Sequence, residues 1–252
     1  MHALQEKSPG ILSSALKFWN DGRVESGFVP ATGKLLAAFW EFARDSTPQR
    51  LRLRFGDADY DWDHRVNTTS GAVGWRDRLL GEFYSAYQPT DPAFFSEMMD
   101  DLQRHANFGL HQLTFIDLGS GKGRVLLMAS EYPFRRIVGI ELLPPLNRIA
   151  QDNIAQYRTA TQKCSAVDSI CGDATSFPLP EGPIVLYLFN PFLESGLKRT
   201  LANVKKHLAS TSSPVYLLYH NPVLEHLLAS QTFLRKIAGT HQYSIYAALP
   251  RL

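Results

Sequence analysis

From Leu113 onward, short apolar runs alternate with segments whose apolar residues recur at helical spacing, and this order constrains the fold more than any other feature. Such alternation indicates βαβ units and a parallel sheet. The last two strand-like runs are joined by only three residues, 239–241, and so short a connection can join only antiparallel strands. We therefore predict an α/β fold with a seven-stranded, mostly parallel sheet whose last strand is antiparallel. The predicted strands are Leu113–Leu118, Arg136–Glu141, Ser165–Cys171, Ile184–Asn190, Val215–Tyr219, Phe233–Ala238 and Gln242–Leu249, and the predicted helices among them are Arg124–Tyr132, Pro145–Tyr157, Leu197–Leu208 and Val223–Ala229.

The first hundred residues follow another pattern. Leu35–Phe42 and Phe94–His105 have helical spacing, and the second follows Thr90, Asp91 and Pro92, which are typical of a helix start. Between these helices, strict alternation on either side of Gly56-Asp57 predicts a two-stranded hairpin over residues 50–63. A turn that begins with glycine suits such a hairpin, and each cross-strand ion pair contributes about 0.2–1 kcal/mol. The expected pairs are Arg50–Asp63, Arg52–Asp61 and Arg54–Asp59.

Charge and cysteine content exclude several classes of protein. The 252 residues contain 26 Lys and Arg against 24 Asp and Glu, and a net charge of +2 supplies no strong field to attract nucleic acid. Two cysteines are too few for a disulfide framework, and no second Cys/His cluster completes a zinc site. The N-terminus lacks a signal-peptide pattern, and no apolar run approaches the ~20 residues that span a bilayer. The sequence therefore predicts a soluble, cytoplasmic protein without a metal, a membrane contact or a nucleic-acid partner.

A glycine-rich turn at Asp117–Arg124 (Asp-Leu-Gly-Ser-Gly-Lys-Gly-Arg) separates the first predicted parallel strand from the next helix. Backbone N–H groups point outward at such a turn, and glycine lets a ligand approach the main chain. A phosphate-binding P-loop needs Ser or Thr after the lysine, but Gly123 follows Lys122. A dinucleotide site needs its third glycine where Arg124 stands. The Asp117 carboxylate would repel a pyrophosphate and suits a cationic ligand; an ordinary tight turn is the alternative.

Polar residues also end the next three predicted strands. Glu141 ends the second strand, where a carboxylate can hold both hydroxyls of a ribose. Asp173 and Ala174 follow the third strand, where they can bind an adenine ring, although an aspartate there also suits a turn. Asn190–Phe192 (Asn-Pro-Phe) follows the fourth strand in the region where open sheets bind substrates. An extended X-Pro turn is the alternative there.

Together, these motifs resemble the class I S-adenosylmethionine-dependent methyltransferases, in which an acid precedes GxGxG, an acid ends strand two and an aspartate follows strand three. The resemblance covers Tyr84 to about Leu249 and implies a Rossmann-like sheet with helices on both faces. Residues 1–83 are then an N-terminal accessory region of helices and a hairpin, and residues 84–252 are the cofactor-binding domain. The segment Tyr87–Thr90 is similar to the Y-x-P-T that precedes D-x-G-S-G in a lysine-directed branch of protein methyltransferases.

The resemblance implies a role for each matching residue. Asp117 would meet the methionine ammonium of S-adenosylmethionine, and the glycine backbone would pass the homocysteine arm of this cofactor and of its product, S-adenosylhomocysteine. Asn190 and the carbonyl of Pro191 would accept hydrogen bonds from a target amine, although the motif is one proline shorter than the N-P-P-aromatic of amino-methylating relatives. The implied cofactor-binding residues are Tyr87, Thr90, Asp117, Gly119, Ser120, Gly121, Gly123, Glu141, Asp173, Ala174 and Asn190, and the candidate catalytic residues are Asn190, Pro191, Phe192 and His220.

Three functions are compatible with these residues. The first is a protein N-methyltransferase that transfers a methyl group to a lysine-like nitrogen by in-line displacement, with His220 as the candidate base. A histidine with a purely structural role is the alternative for His220. The second function is a small-molecule N- or O-methyltransferase whose N-terminal region caps the pocket. The third is a non-catalytic cofactor-binding module of a complex. The expected partner is therefore a protein or small-molecule methyl acceptor.

Overall fold

One seven-stranded sheet forms the centre of the protein, in a computed structural model that describes residues 11–45, 58–68 and 89–248. The strands are β1 (Thr114–Leu118), β2 (Arg136–Glu141), β3 (Val167–Cys171), β4 (Ile184–Phe189), β5 (Val215–His220), β6 (Leu234–Gly239) and β7 (Tyr243–Ala248). Their order in the sheet is β3-β2-β1-β4-β5-β7-β6. β7 is antiparallel to β5 and β6, and the other neighbours pair in parallel. The predicted Rossmann-like sheet, with its terminal antiparallel pair, is confirmed.

Helices cover both faces of this sheet. The helices among the described residues are α1 (Ile11–Ser26), α2 (Phe28–Asp45), α3 (Ala58–His64), α4 (Pro92–His105), α5 (Arg124–Ser130), α6 (Pro144–Gln156), α7 (Glu194–Leu208) and α8 (Glu225–Ala229). On one face, α4 and α5 pack onto β1 and β4 through a buried cluster that includes Phe95, Leu126 and Tyr187. On the other face, Leu197 and Leu201 of α7 contact a second cluster. Because both faces are covered there, the central strand β4 is a continuous apolar run, and β1 and β5 are buried along their whole length.

The start of α4 agrees with its predicted capping residues. Asp91 has an extended backbone, and its carboxylate accepts hydrogen bonds from the amides of Ala93 and Phe94 at 2.8 and 3.4 Å. Pro92 occupies the first turn, where its missing N–H has no intrahelical partner to lose. Thr90, directly before this cap, is buried against the sheet, with its Oγ1 atom 2.9 Å from the Tyr187 hydroxyl.

The N-terminal helices extend further than the sequence predicts. Only Leu35–Phe42 is predicted there, whereas α1 and α2 form a helical hairpin around Gly27, which has φ of +89°. The indole of Trp19 donates to Thr32 Oγ1 at 3.1 Å and packs edge-to-face on Phe28. The predicted boundary between residues 83 and 84 lies outside the described residues.

The predicted hairpin over residues 50–63 is wrong in its second half. Ala58–His64 is the helix α3, while Arg50–Phe55 lies outside the described residues. Helical spacing lets the rings of Tyr60 and His64 stack at 4.3 Å, and His64 stacks in turn on Tyr157. A two-stranded ribbon without a partner is marginal in water, so these tertiary contacts outweigh the alternating pattern.

The described residues show neither a metal cluster nor a membrane-spanning helix. In the three described ranges, no group of three His, Cys, Asp or Glu side chains is arranged to hold a metal ion. None of the helices in those ranges is long and apolar enough to cross a bilayer. Within the described ranges neither cysteine forms a disulfide bond; Cys164 is buried and Cys171 is half-buried.

Candidate functional site

The loop between β1 and α5 depends on three glycines with left-handed backbone. The angle φ is +91° at Gly119, +54° at Gly121 and +83° at Gly123, a region that costs a residue with a side chain about 1–2 kcal/mol. The amides of Gly119 and Ser120 donate to the carbonyl of Ile140 at 2.9 and 3.1 Å. The glycine-rich loop is therefore attached to the end of β2, at the carboxyl edge of the sheet.

Gly139 in β2 makes room for this loop. A Cβ atom built on Gly139 would lie 2.6 Å from both Ser120 Oγ and Leu126 Cδ1. Ser120 is buried, and its hydroxyl has no hydrogen-bond partner among the described residues. Sequence reasoning missed Gly139, because a glycine inside a strand indicates a close approach without identifying what approaches.

Asp117 places a buried carboxylate beside the glycine-rich loop. The residue is 3% exposed and is in register with Gly139 on β2 and Tyr187 on β4. No described residue donates a hydrogen bond to its side chain. Burial, followed by the charge of Glu141, raises the pKa of Asp117 well above its ordinary value. A positively charged ligand would favour the ionised form of such a group.

Glu141 connects the end of β2 to the glycine-rich loop. One carboxylate oxygen accepts a hydrogen bond from the Gly121 amide and the other from the Leu143 amide, each at 2.8 Å. Burial raises the pKa of Glu141, and these backbone hydrogen bonds offset part of the effect. Because a carboxylate has about four lone-pair sites, it can still accept from a ligand hydroxyl. Its expected contact with a ribose stays a prediction.

The loop after β3 carries Asp173 and Ala174. The Oδ1 atom of Asp173 accepts hydrogen bonds from the amide and hydroxyl of Thr175 at 2.9 and 2.7 Å, which closes a local turn. Its Oδ2 atom lies 4.0 Å from Nζ of Lys17 on α1, a contact that sequence reasoning missed. Ala174 is buried in the second apolar cluster. Asp173 therefore has the alternative turn role, and its contact with adenine stays a prediction.

The predicted Asn-Pro-Phe motif lies against the glycine-rich loop. Asn190 has left-handed backbone with φ of +45°, and its Oδ1 accepts a hydrogen bond from the Tyr219 hydroxyl at 3.1 Å. The Leu224 amide donates to the same hydroxyl at 3.3 Å. A Cβ atom built on Gly119 would lie 2.7 Å from Cβ of Pro191. The loops after β1 and β4 therefore share one site.

His220 is buried in a chain of hydrogen bonds. Its Nδ1 lies 2.9 Å from the Tyr187 hydroxyl, which lies 2.9 Å from Oγ1 of Thr90. The imidazole also stacks on Phe189, with ring centroids 4.0 Å apart. Desolvation lowers the pKa of His220 to about 4, although Asp91 acts in the opposite direction. The ring is therefore neutral and weakly basic at pH 7, and its role as a catalytic base stays a prediction.

Three predicted site residues remain to be placed, namely Phe192, Thr90 and Tyr87. Phe192 is half-buried and packs beside Gly196 of α7, where a built Cβ atom would lie 3.0 Å from Cβ of Phe192. Thr90 is buried against the sheet through its bond to Tyr187. Tyr87 lies outside the described residues. The partners Tyr187 and Tyr219 were missed, because an apolar strand pattern does not indicate which tyrosine hydroxyls reach the site.

Comparisons with known proteins find solved structures that are similar to part of this chain. No protein-family model matches the chain, and no curated protein matches its sequence. An RNA methyltransferase from Salinibacter ruber, in complex with S-adenosylhomocysteine, is 20% identical, with a TM-score of 0.42 over 65% of this chain and 94% of its own. TrmN from Thermus thermophilus is 15% identical, with a TM-score of 0.45 over 66% of this chain and 51% of its own. The glycopeptide N-methyltransferase MtfA, complexed with S-adenosylmethionine, is 16% identical, with a TM-score of 0.39 over 62% of this chain and 65% of its own.

Proposed function

We propose that the protein is an S-adenosylmethionine-dependent methyltransferase whose cofactor binds at the carboxyl ends of β1 to β4. The observation that carries this proposal is the buried Asp117 carboxylate, to which no described residue donates a hydrogen bond. A buried charge of this kind is costly unless it is paired. The ammonium group of the cofactor supplies a matching cation, whereas a dinucleotide would bring a pyrophosphate towards the carboxylate.

The neighbouring strand ends support the same ligand. Carboxyl ends of parallel strands meet at one edge of a sheet, so Asp117, Glu141 and Asp173 lie along one border. In this proposal Glu141 holds the ribose with its remaining lone pairs, and Asp173 and the Ala174 amide contact the adenine. The left-handed glycines of the loop leave the backbone open to the methionine arm.

Asn190 is the proposed residue on the acceptor side. When bound, the cofactor supplies a methyl group on a sulfonium, which transfers by in-line displacement. Alignment of two reactants can lower a barrier by about 7–11 kcal/mol, so orientation is the main task of the protein. Tyr219 holds Asn190 Oδ1 through one lone pair. The second lone pair can accept from an amine and direct the nitrogen lone pair towards the methyl group.

A protein side-chain nitrogen, as in lysine, is the acceptor that we propose. Support comes from the amide of Asn190 at the site and from the similarity of Tyr87–Thr90 to a lysine-directed branch. With its pKa lowered to about 4, the neutral His220 ring is a weak base towards an ammonium group at neutral pH. A lysine acceptor must lose its proton before methyl transfer, because an ammonium nitrogen has no lone pair, and His220 is the candidate base for that proton.

Calorimetry tests the cofactor proposal. The purified protein should bind S-adenosylmethionine and S-adenosylhomocysteine, and it should bind NAD and ATP much more weakly. Asp117→Asn should abolish the preference for the amine-bearing ligands, while Asp168→Asn, at an exposed ion pair with Arg136, should leave it unchanged. Preferential binding of NAD, or unaltered affinity in Asp117→Asn, would contradict the proposal.

Methyl transfer to fractions of a cell lysate tests the acceptor. The enzyme is incubated with methyl-labelled cofactor and separated protein, RNA and small-molecule fractions. We expect label in protein, recovered as methyl-lysine after acid hydrolysis. Label in RNA or in small molecules would refute the protein acceptor. Cofactor binding without label in any fraction would refute catalysis and favour the non-catalytic module.

A further inference from the structure

Lys122 and Arg124 are the two cations of the glycine-rich loop, and both are buried. Each is 1% exposed. Burial lowers the pKa of both groups, to about 10 for Arg124, while Asp61 partly counteracts the effect at Lys122. Buried cations are costly unless they are paired and hydrogen-bonded. A loop that is proposed to bind a cationic cofactor must direct these two side chains elsewhere.

Arg124 contacts a segment of the chain that lies about fifty residues before the first strand of the sheet. Its Nε donates to Oγ1 of Thr68 at 2.6 Å, and its Nη2 donates to Oδ1 of Asp61 at 3.3 Å. The guanidinium also lies over the ring of Tyr60, 4.6 Å from the centroid. The guanidinium therefore donates hydrogen bonds from its edge and stacks through its face on the same short segment.

Lys122 and Asn153 attach the same segment to the loop and to α6. The ammonium of Lys122 donates to Oδ1 of Asn67 at 3.0 Å. The side chain of Asn153 accepts from the Asn67 amide at 2.8 Å and donates to the carbonyls of Asn67 and Lys122 at 3.0 and 2.9 Å. Asp61 also accepts hydrogen bonds from the amide and hydroxyl of Thr68. The segment is therefore bonded within itself, to the glycine-rich loop and to α6.

We infer that residues 60–68 form a clamp that positions the glycine-rich loop for the cofactor, with Asp61, Asn67 and Thr68 as positioning residues. This inference rests on the proposed function. The clamp acts through Lys122 and Arg124, which flank Gly123 and belong to the loop itself. None of the clamp residues needs to touch the cofactor.

Thermodynamic coupling between docking of the clamp and ligand binding by the glycine-rich loop is reciprocal. If the docked clamp raises the affinity of the loop for a ligand, the ligand must strengthen docking of the clamp by the same factor. A purely structural ion pair would change the stability of the protein without this linkage. The inference can therefore be measured both as a binding constant and as protection of residues 60–68.

Binding of S-adenosylhomocysteine to clamp variants tests the inference by calorimetry. Thr68→Val keeps the side-chain volume and removes the acceptor of Arg124, and Asp61→Ala removes the carboxylate. Each should weaken binding by about tenfold or more. Asp168→Ala, which removes the exposed partner of Arg136, should leave the binding constant unchanged. If Asp61→Ala does not fold, Thr68→Val decides; equal affinity of Thr68→Val and wild type overturns the inference.

Amide hydrogen exchange supplies the second readout. S-adenosylhomocysteine should slow exchange in residues 60–68 of the wild type. Without any ligand, Thr68→Val should speed exchange at Gly121 and Gly123, whose amides are bonded to Glu141 and Ser120. If the wild type does not bind the cofactor, the proposed function fails, and the ligand-free exchange still decides whether the clamp holds the loop. Unchanged exchange at both places overturns the clamp.

Discussion

The contact between Gly119 and Pro191 can be tested with one methyl group. Gly119→Ala adds a Cβ atom 2.7 Å from Cβ of Pro191, on a backbone with φ of +91°. Left-handed backbone costs alanine about 1–2 kcal/mol, and overpacking costs about 1–3 kcal/mol. We therefore expect the free energy of unfolding to fall by about 2–5 kcal/mol.

Two other glycines distinguish the cost of left-handed backbone from the cost of the close contact with Pro191. Gly27 has φ of +89° and nothing within 4 Å of a built Cβ atom, so Gly27→Ala should cost only the backbone term of about 1–2 kcal/mol. Gly172 has open space and no left-handed backbone, so Gly172→Ala should change stability by less than about 0.5 kcal/mol. The excess loss in Gly119→Ala over Gly27→Ala measures the contact with Pro191.

Urea unfolding, followed by circular dichroism, provides the free energies, and calorimetry with S-adenosylhomocysteine provides the affinities. Gly119→Ala should bind the cofactor more weakly than either control, because its methyl group separates the loops after β1 and β4. If Gly119→Ala is no less stable than Gly27→Ala, then Pro191 does not pack against Gly119. The two loops would then not share a site.

Three further substitutions test the charges and the acceptor side of the site. The folded pKa of Asp117 lies above its unfolded value, so ionisation of this carboxyl at neutral pH destabilises the fold. Asp117→Asn should therefore raise Tm at pH 7, and the gain should shrink towards pH 4. Thermal unfolding measured across pH tests this. His220 has a folded pKa of about 4, below its unfolded value of 6.5, so between these pH values the unfolded chain binds a proton that the folded chain does not. The free energy of unfolding should therefore fall by about 3 kcal/mol as the pH decreases from 6.5 to about 4. His220→Asn should flatten that dependence in urea titrations, and an unchanged slope would show that another group titrates. Asn190→Ala should raise the barrier to methyl transfer by about 2–4 kcal/mol in single-turnover assays and leave cofactor affinity nearly unchanged, whereas full turnover would make Asn190 a turn residue.

The central strands were predictable because the sheet is covered on both faces there, whereas the edge strand β3 is partly exposed. The predicted Arg136–Glu141 coincides with β2, and the predicted Ser165–Cys171 begins two residues before β3. Helix α1 was not predicted, since its apolar Leu12, Leu16 and Val24 are exposed and give no core-facing pattern. The alternation around Tyr60 was misinterpreted, because stacking and ion pairing with distant residues stabilise a helix there.

The sequence alone determined the features that depend on local spacing. Glycines with positive φ between a strand and a helix, an aspartate before them and polar residues at strand ends are all specified within a few positions of the chain. These features were enough to predict the sheet and the edge of the sheet at which the candidate site residues lie.

Only the tertiary structure decided which groups meet at that edge. Glu141 holds Gly121 twenty positions away, Tyr219 holds Asn190, and Lys122 reaches Asn67. Each pairing depends on how helices and loops pack across the sheet, and the hydrophobic period specifies only which face of an element is buried. The partner of a buried polar group is set by the geometry of the packed core, where leaving that group unpaired costs about 1–3 kcal/mol.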